Sequence, residues 1–185
     1  MRSVTLSAVL LAVSAPALGA NPNLVVNGDF ASAADLSGWQ TGSSAVWATL
    51  DRNADAASGS AYASNDSAAG STRVTQLSQC IPLTQRGRYM YGASGYVGPT
   101  SVQGSLIVAV IPYPAADCSS GSPSGVYLPS SGAWFDYGYS IGVPSLPAAM
   151  EVLLIVQKDQ AGGTYSGFFD NVYLVLDTVF TGDFE

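Results

Sequence analysis

The sequence lacks histidine and contains few charged residues, and these absences exclude several kinds of site. Only 10% of its 185 residues are charged, whereas an average soluble domain has about 25%. Without histidine the chain cannot form a Ser–His–Asp or Cys–His nucleophilic site, or a zinc site with histidine ligands. Its 6 basic and 13 acidic residues give a net charge of −7, which argues against a nucleic-acid-binding surface. The hydrophobic fraction of 48% nevertheless predicts a folded domain with a core.

Helix-forming residues are also scarce, and the pattern that remains is that of β-strands. Glutamate occurs only at positions 151 and 185, and lysine only at 158. Short runs rich in Val, Thr, Tyr and Ser alternate with turn residues, which predicts an all-β antiparallel sandwich. The predicted strands are 24–30, 45–51, 60–64, 72–83, 88–97, 103–113, 134–142, 150–157 and 166–176, and the longest predicted loop is 119–131.

Residues 1–20 have the layout of a secretory signal peptide. One cation, Arg2, precedes an apolar run at 4–13, and small residues precede Asn21. The run is shorter than the roughly 20 residues that span a bilayer, although a retained anchor is the alternative. We therefore expect one domain over 21–176 and a short tail over 177–185. We also expect no membrane span after cleavage, and a protein that is secreted, periplasmic or on the cell surface.

The chain has two cysteines, Cys80 and Cys118. In an exported protein, two cysteines are expected to form a disulfide, with two buried thiols as the alternative. The bond would close a loop of about 39 residues, which stabilises a fold by roughly 4 kcal/mol in the chain-entropy model.

The last predicted strand places a carboxylate among apolar side chains. Strict alternation puts Phe168, Asp170, Val172 and Leu174 on one face. Burying a carboxylate is costly unless it is paired or bound to a metal. Asp170 is therefore the acidic residue that most needs a partner.

Several passages, taken in their order along the chain, resemble the motifs of a known family. They are NLVVNGDF at 23–30 with GW at 38–39, QCIPL at 79–83 with GRY at 87–89, Trp134 with Tyr139, Ile141 and Pro144, and GTY at 163–165 with FFDNVYL at 168–174. Together they cover most of 22–176 and resemble the CenC-like carbohydrate-binding modules of families 4, 9 and 22. The resemblance implies a galactose-binding-domain-like β-jelly-roll sandwich of two antiparallel sheets, with a glycan cleft on the concave sheet.

The resemblance also implies one structural Ca²⁺ where the first and last strands meet. Asp29 and Asp170 match positions that the family uses around this ion, and Ser60, in the turn at 58–60, would help to supply further oxygens. Two departures remove negative charge, since Ala31 replaces the family's Glu and Asn171 its second Asp. A hydrogen-bonded Asp170 without metal is therefore the alternative.

Aromatic residues are the expected sugar contacts, because the C–H faces of sugars stack on rings while hydroxyls form hydrogen bonds. Ordinary packing is the alternative for each ring. The residues predicted to bind carbohydrate are Trp47, Tyr96, Tyr113, Trp134 and Tyr137, and their predicted polar partners are Gln76, Gln103 and Asp136.

An enzyme is not expected, because glycoside hydrolysis normally requires two carboxylates that flank the bond. Glu151 is the only internal glutamate, and no spacing singles out a pair of acids. The sequence therefore predicts a secreted, non-catalytic module that binds poly- or oligosaccharide. The alternative is a secreted or surface structural or adhesion β-sandwich domain without a glycan site.

Overall fold

The structure is a computed structural model that describes residues 21–31, 35–98, 100, 102–119, 124–128, 132–143 and 148–177. The predicted signal peptide at 1–20 and the tail residues 178–185 lie outside this part of the chain. No helix among the described residues is long and apolar enough to cross a membrane.

The described strands form two five-stranded antiparallel sheets that face each other. The first sheet has the order β1-β4-β9-β6-β7 and the second the order β2-β3-β10-β5-β8. The predicted all-β sandwich is therefore confirmed. The strands are β1 Gln40–Thr41, β2 Val46–Ala48, β3 Ser60–Asn65, β4 Thr72–Pro82, β5 Gly87–Val97, β6 Gly104–Tyr113, β7 Ser124–Leu128, β8 Phe135–Val143, β9 Ala149–Lys158 and β10 Tyr165–Asp177.

The main core lies between the sheets, and its strand residues come from alternate positions of β3, β4, β5, β6, β9 and β10. On β5, Tyr89, Tyr91 and Ala93 are buried in it, as their common phase predicts. β9 lies between β4 and β6 and is buried on both faces, with Leu154 in the main core and Leu153 in a second cluster. This confirms the expectation that the apolar run at 152–156 is a central strand.

Two sequence-based predictions of secondary structure are wrong. The segment 24–30 forms turns instead of a strand, because Asn27 and Phe30 adopt positive φ angles of 52° and 48° that interrupt extended backbone. It is nevertheless tied to the last strand by the backbone hydrogen bond from Leu24 N to Leu174 O, at 2.8 Å. The predicted loop at 119–131 contains β7, which pairs with β6.

A β-bulge in β10 changes which side chains face the core. The register with β5 shifts between Asp170 and Tyr173, and Asn171 has a φ of 47°. The extra residue reverses the alternation, so Phe168 and Asp170 lie on the outer face of the second sheet whereas Val172 faces the core. The prediction that these three residues share one face is therefore wrong.

The outer face of the first sheet carries a second apolar cluster. Cys118 packs against this cluster and is bonded to Cys80 of β4, with a Cα–Cα distance of 6.0 Å. The predicted disulfide is thus confirmed, and it attaches the segment after β6 to the sheet. The buried members of the cluster are Ile107, Ala109, Ile111, Tyr113 and Leu153.

Candidate functional site

A row of aromatic side chains crosses the outer face of the second sheet. Tyr62 of β3 pairs with Phe168 of β10, which pairs in turn with Tyr96 of β5, and directly paired residues share a face. The ring of Trp134, which precedes β8, lies 5.7 Å from that of Tyr96 between centroids. We call Tyr62, Phe168, Tyr96 and Trp134 the aromatic row.

The rings of the aromatic row are tilted against one another and half-buried. Consecutive ring planes make angles of 59°, 62° and 48°, which is close to the edge-to-face packing that aromatic pairs favour. The row therefore forms a ridge of ring edges and partly exposed faces, and not one flat platform.

Tyr173 lies farther along the same face, over two glycines. It pairs with Gly92 of β5, which pairs with Gly138 of β8. A Cβ atom at Gly92 would lie 2.7 Å from Tyr173 Oη, and one at Gly138 would lie closer still. Glycine is required at both positions because the phenol approaches the backbone of two neighbouring strands.

A surface pocket of about 340 Å³ adjoins Tyr173. Its size is at the lower end of the range of small-ligand sites, about 300 to 1,000 Å³. Polar and aromatic groups from three strands converge there, which is the kind of lining that a hydroxyl-bearing ligand requires. The lining residues are Ala93, Ser94, Asp136, Tyr137, Gly138, Asn171 and Tyr173.

An ion pair borders this pocket. Arg52 donates from Nε to Asp136 Oδ1 at 3.2 Å and from an Nη atom to Oδ2 at 2.9 Å, and the hydroxyl of Ser94 also donates to Oδ1. These bonds, from Arg52 first and then from Ser94, lower the pKa of the Asp136 carboxyl. Burial, and secondly the charge of Asp136, raises the pKa of Tyr173. At neutral pH the pocket therefore holds a carboxylate acceptor beside a protonated phenol.

Asp170 holds the loop from which Arg52 extends. It is fully buried, and its two carboxylate oxygens accept the backbone N–H groups of Arg52, at 2.8 Å, and Asn171, at 2.6 Å. Burial is the main reason that the pKa of Asp170 rises to about 6, and the neighbouring carboxylate of Asp51 raises it further. Asp170 thereby fixes the backbone of the segment that borders the pocket.

The structure brings two of the predicted sugar-contacting rings together, Tyr96 and Trp134, and places the predicted polar partner Asp136 on the same face. Gln76, by contrast, is buried and donates to Ser64 O at 2.7 Å. The backbone carbonyl of Gln103 accepts the Asp159 N–H at 3.0 Å.

The other three predicted rings lie elsewhere. Trp47 pairs with the core residue Ala61 and donates from Nε1 to Phe30 O at 3.0 Å. Tyr113 is buried on the outer face of the first sheet and donates to Glu151 Oε2 at 2.8 Å; burial and then this bond raise its pKa to about 12.

Tyr137 points to the opposite face of β8 from Asp136, since it pairs with the core residue Ala93. Its ring stacks on that of Phe135, with centroids 6.2 Å apart. Tyr137 thus lines the pocket with its backbone, while its ring lies on the other face at the edge of the sandwich.

The three predicted metal ligands lie in three different segments, with Asp29 in the first turns, Ser60 at the start of β3 and Asp170 in β10. Asp29 is exposed, and its carbonyl accepts the Ser58 hydroxyl at 2.8 Å. Ala61 of β3 pairs with Phe169 of β10, so Ser60, just before Ala61, and Asp170, just after Phe169, lie at neighbouring positions of the two strands. Ser60 Oγ is buried and has no hydrogen-bond partner among the described residues. No group of three or more His, Cys, Asp or Glu in the described chain is placed to hold a metal.

Sequence reasoning missed several contributors to this face, among them Tyr62, Phe168, Tyr173 and Arg52. The alternation of β3 could have placed Tyr62 outward. Phe168 and Tyr173 could not be assigned together, because the bulge between them changes the phase of β10. Arg52 reaches the site from a loop, for which no periodic pattern exists.

No protein-family model and no curated protein matches the chain. Among solved structures it is similar to the enzymatically active domain of tailspike protein 4 of bacteriophage CBA120, with a TM-score of 0.61 and 16% identity over 84% of this chain and 21% of that one. It is also similar to TmCBM61 in complex with β-1,4-galactotriose, with a TM-score of 0.55 and 18% identity over 84% of this chain and 99% of that one.

A third similar structure is a family 16 carbohydrate-binding module, with a TM-score of 0.54 and 19% identity over 83% of this chain and 99% of that one. The chain thus spans about a fifth of the tailspike chain and almost the whole of both modules. At this level of identity the similarities show the fold. The chain has the β-jelly-roll sandwich of carbohydrate-binding modules, as the resemblance in its sequence predicted.

Proposed function

We propose that the outer face of the second sheet binds a poly- or oligosaccharide, with Tyr173 as the central stacking residue. The observation that carries this proposal is the position of Tyr173, which lies over Gly92 and Gly138 beside a pocket that Ser94 and Asp136 also line. Sugars require an aromatic face for their C–H groups and polar groups for their hydroxyls. The pocket combines both within one part of the sheet.

The polar groups at the pocket supply both acceptors and donors. Asp136 is an acceptor whose ionised form the bonds from Arg52 and Ser94 favour. The side-chain amide of Asn171 can donate and accept, and the phenol of Tyr173 keeps its proton at neutral pH. A sugar hydroxyl both donates and accepts, so this mixture suits a neutral, hydroxyl-rich ligand better than an anionic one.

Polysaccharide retardation in native gels tests this function. We expect β-glucan, xylan, cellulose or a chitin-type polymer to retain the protein, and Tyr173→Ala to weaken binding about tenfold, because one stacking contact contributes roughly 1 to 1.5 kcal/mol. Tyr137→Ala is the matched control, since its ring leaves from the other face of β8 and its removal should leave binding unchanged. Retention that depends on Tyr137 and not on Tyr173 would contradict the assignment.

A second candidate is a structural or adhesion domain without a glycan site. The tilt of the aromatic row favours it, because rings that pack against each other at 48° to 62° are already partly used for packing. This candidate predicts that none of the polymers retards the wild-type protein, and that Tyr173→Ala changes only its stability.

We infer that binding occurs without catalysis and that the protein acts outside the cytoplasm. Asp136 is paired with Arg52, and Asp170 lies buried beneath a loop, so neither is presented as a free acid or base to a glycosidic bond.

Export is supported by the signal-like sequence at 1–20 and by the disulfide. Mass spectrometry of the N-terminus after expression from its own leader tests export, and an uncleaved chain would contradict it.

We also propose one structural calcium ion between Asp29, Ser60 and Asp170. The buried Ser60 hydroxyl, which has no hydrogen-bond partner among the residues that the structure describes, supports the proposal. Neighbouring carbonyls would have to complete the six to eight oxygens that calcium takes. The bound ion would hold the first turns against the last strand. Calcium should raise the melting temperature and EDTA should lower it; an unchanged melting temperature would leave Asp170 as a carboxyl held by hydrogen bonds alone.

A further inference from the structure

β8 differs from the other edge strands of the sandwich. It ends the second sheet, and no described strand pairs with its outer side. The other three edge strands are short, with two residues in β1, three in β2 and five in β7, whereas β8 has nine. Short edge strands are one way in which proteins prevent pairing with another chain, and β8 does not have this protection.

The sequence of β8 lacks the other protections as well. Residues 135–143, FDYGYSIGV, contain neither lysine nor proline, which are the residues that commonly guard an edge. The only charged residue in the sequence of β8 is Asp136, which forms an ion pair with Arg52. In the part of the chain that the structure describes, the edge therefore presents the backbone of a nine-residue strand with no unpaired charged side chain that would repel a second strand.

Aromatic side chains make the same edge apolar. Phe135 and Tyr137 are each 40% exposed and Tyr139 is 60% exposed. All three point to the face of β8 that is turned toward the first sheet, since their partners on β5 include the core residues Tyr91 and Ala93. Exposed rings in one line on a free edge are a feature of interaction surfaces.

β8 is complementary to a second copy of itself. In antiparallel pairing centred on Tyr139, Tyr139 faces Tyr139, Tyr137 faces Ile141 and Gly138 faces Ser140. Aromatic–aromatic and aromatic–β-branched pairs are the cross-strand pairs that stabilise sheets. The same register places Asp136 of each copy opposite Gly142 of the other copy.

The charges of the two copies also complement each other in this register. Gly142 has no side chain and pairs with Arg88 of β5, whose side chain lies on the same outer face and donates to Ser140 Oγ at 2.6 Å. Each Asp136 would thus face a position beside an arginine of the other copy, and no carboxylate would face another. Opposite charges across neighbouring strands favour pairing.

We propose that the protein forms a two-fold symmetric dimer through antiparallel pairing of β8 with β8, centred on Tyr139. The second sheets then join into one ten-stranded sheet, and the exposed rings of Phe135, Tyr137 and Tyr139 are covered. The pockets beside Gly138 come to lie on one continuous outer face. The dimer does not depend on glycan binding and is testable without a ligand.

Sedimentation equilibrium of the full chain tests the dimer. The wild type is expected to show a concentration-dependent mass approaching twice that of one chain. Tyr139→Lys should raise the dissociation constant about tenfold or more, because it places like charges at the two-fold axis. The control is Val46→Lys on the opposite edge strand β2, where Val46 is 54% exposed, and it should dimerise like the wild type. A wild type that stays monomeric, or a folded Tyr139→Lys protein that dimerises unchanged, would overturn the proposal.

A crosslinking experiment covers the case in which Tyr139→Lys fails to fold. Residues that face each other across antiparallel strands have Cα atoms about 4.5 to 5.5 Å apart, which is within disulfide range. Tyr139→Cys should therefore form a covalent dimer under mild oxidation, mapped by non-reducing peptide analysis, while Val46→Cys should not. Equal crosslinking of the two variants would refute the β8 register.

Discussion

The outer faces of the two sheets have opposite characters. On the first sheet, Ile107, Ile111 and Leu153 form a buried apolar cluster against which Cys118 packs. On the second sheet, half-buried rings, an ion pair and two glycines surround a pocket. The first face is closed by a covalent attachment, whereas the second is open to solvent at the pocket.

The difference arises from the outward-facing side chains that alternate with the core side chains along the strands. Every strand that supplies the main core must place its remaining side chains outward. In β6 and β9 these outward residues are mostly aliphatic. The disulfide holds the segment around Cys118 against them. In β5, β8 and β10 they include Ser94, Asp136 and Tyr173, which are stable in contact with water. Function is therefore expected on the second face and stability on the first.

The largest expected effect comes from opening the closed face. Replacing both cysteines, Cys80→Ser with Cys118→Ser, should reduce the free energy of unfolding by about 4 kcal/mol, because a bond that spans 38 positions restricts the unfolded chain. Urea denaturation measures the loss. Polysaccharide retardation of the protein that remains folded should not change, and a loss of both properties would contradict the separation of the two faces.

The next effect concerns the carboxylate beneath the open face. The pKa of Asp170 is about 6 when folded, above its ordinary value of 3.8, so the folded state binds a proton more tightly than the unfolded state. This contribution to stability is complete below about pH 4 and is lost as the pH rises through about 6, by roughly 2 to 3 kcal/mol.

Asp170→Asn should remove that pH dependence when unfolding is measured in EDTA between pH 4 and pH 8. Asp66→Asn, in an exposed loop, is the control and should keep the wild-type slope. An unaltered slope in the Asp170→Asn protein would show that another group causes it.

A smaller effect is expected when Tyr173 is displaced. Gly138→Ala would drive a methyl group into the Tyr173 phenol, at a cost of about 1 to 3 kcal/mol, and should weaken glycan binding. Gly142→Ala is a closely matched control, because it lies on the same face of β8 and its added methyl meets nothing within 4 Å. Thermal melting and gel retardation of the two variants are compared; equal behaviour would show that Tyr173 moves aside without consequence.

The smallest expected effect on stability is that of the ion pair. Arg52→Ala removes a surface pair with Asp136 and should cost at most about 1 kcal/mol. Its effect on retardation should exceed its effect on melting, since the Asp136 carboxylate keeps the Ser94 hydroxyl but loses both donors from Arg52. Arg73→Ala, away from this face, is the comparison. A change in melting alone would assign Arg52 a purely structural role.

The sequence by itself determined the fold class, the disulfide and the position of most strands. These follow from local properties, namely the two-residue alternation of strands, the turn residues between them and the even number of cysteines in a chain with an export-like leader. The core phase of Tyr89, Tyr91 and Ala93 could be predicted for the same reason, because it depends on one uninterrupted strand.

Only the tertiary structure decided which outward residues meet. The aromatic row depends on the registers that align Tyr62, Phe168 and Tyr96, and register is a relation between distant segments that no single window of sequence contains. The bulge at Asn171 then moved Val172 into the core and left Tyr173 over the glycines of two other strands. The site is therefore a property of strand pairing, whereas the sandwich is a property of the strands themselves.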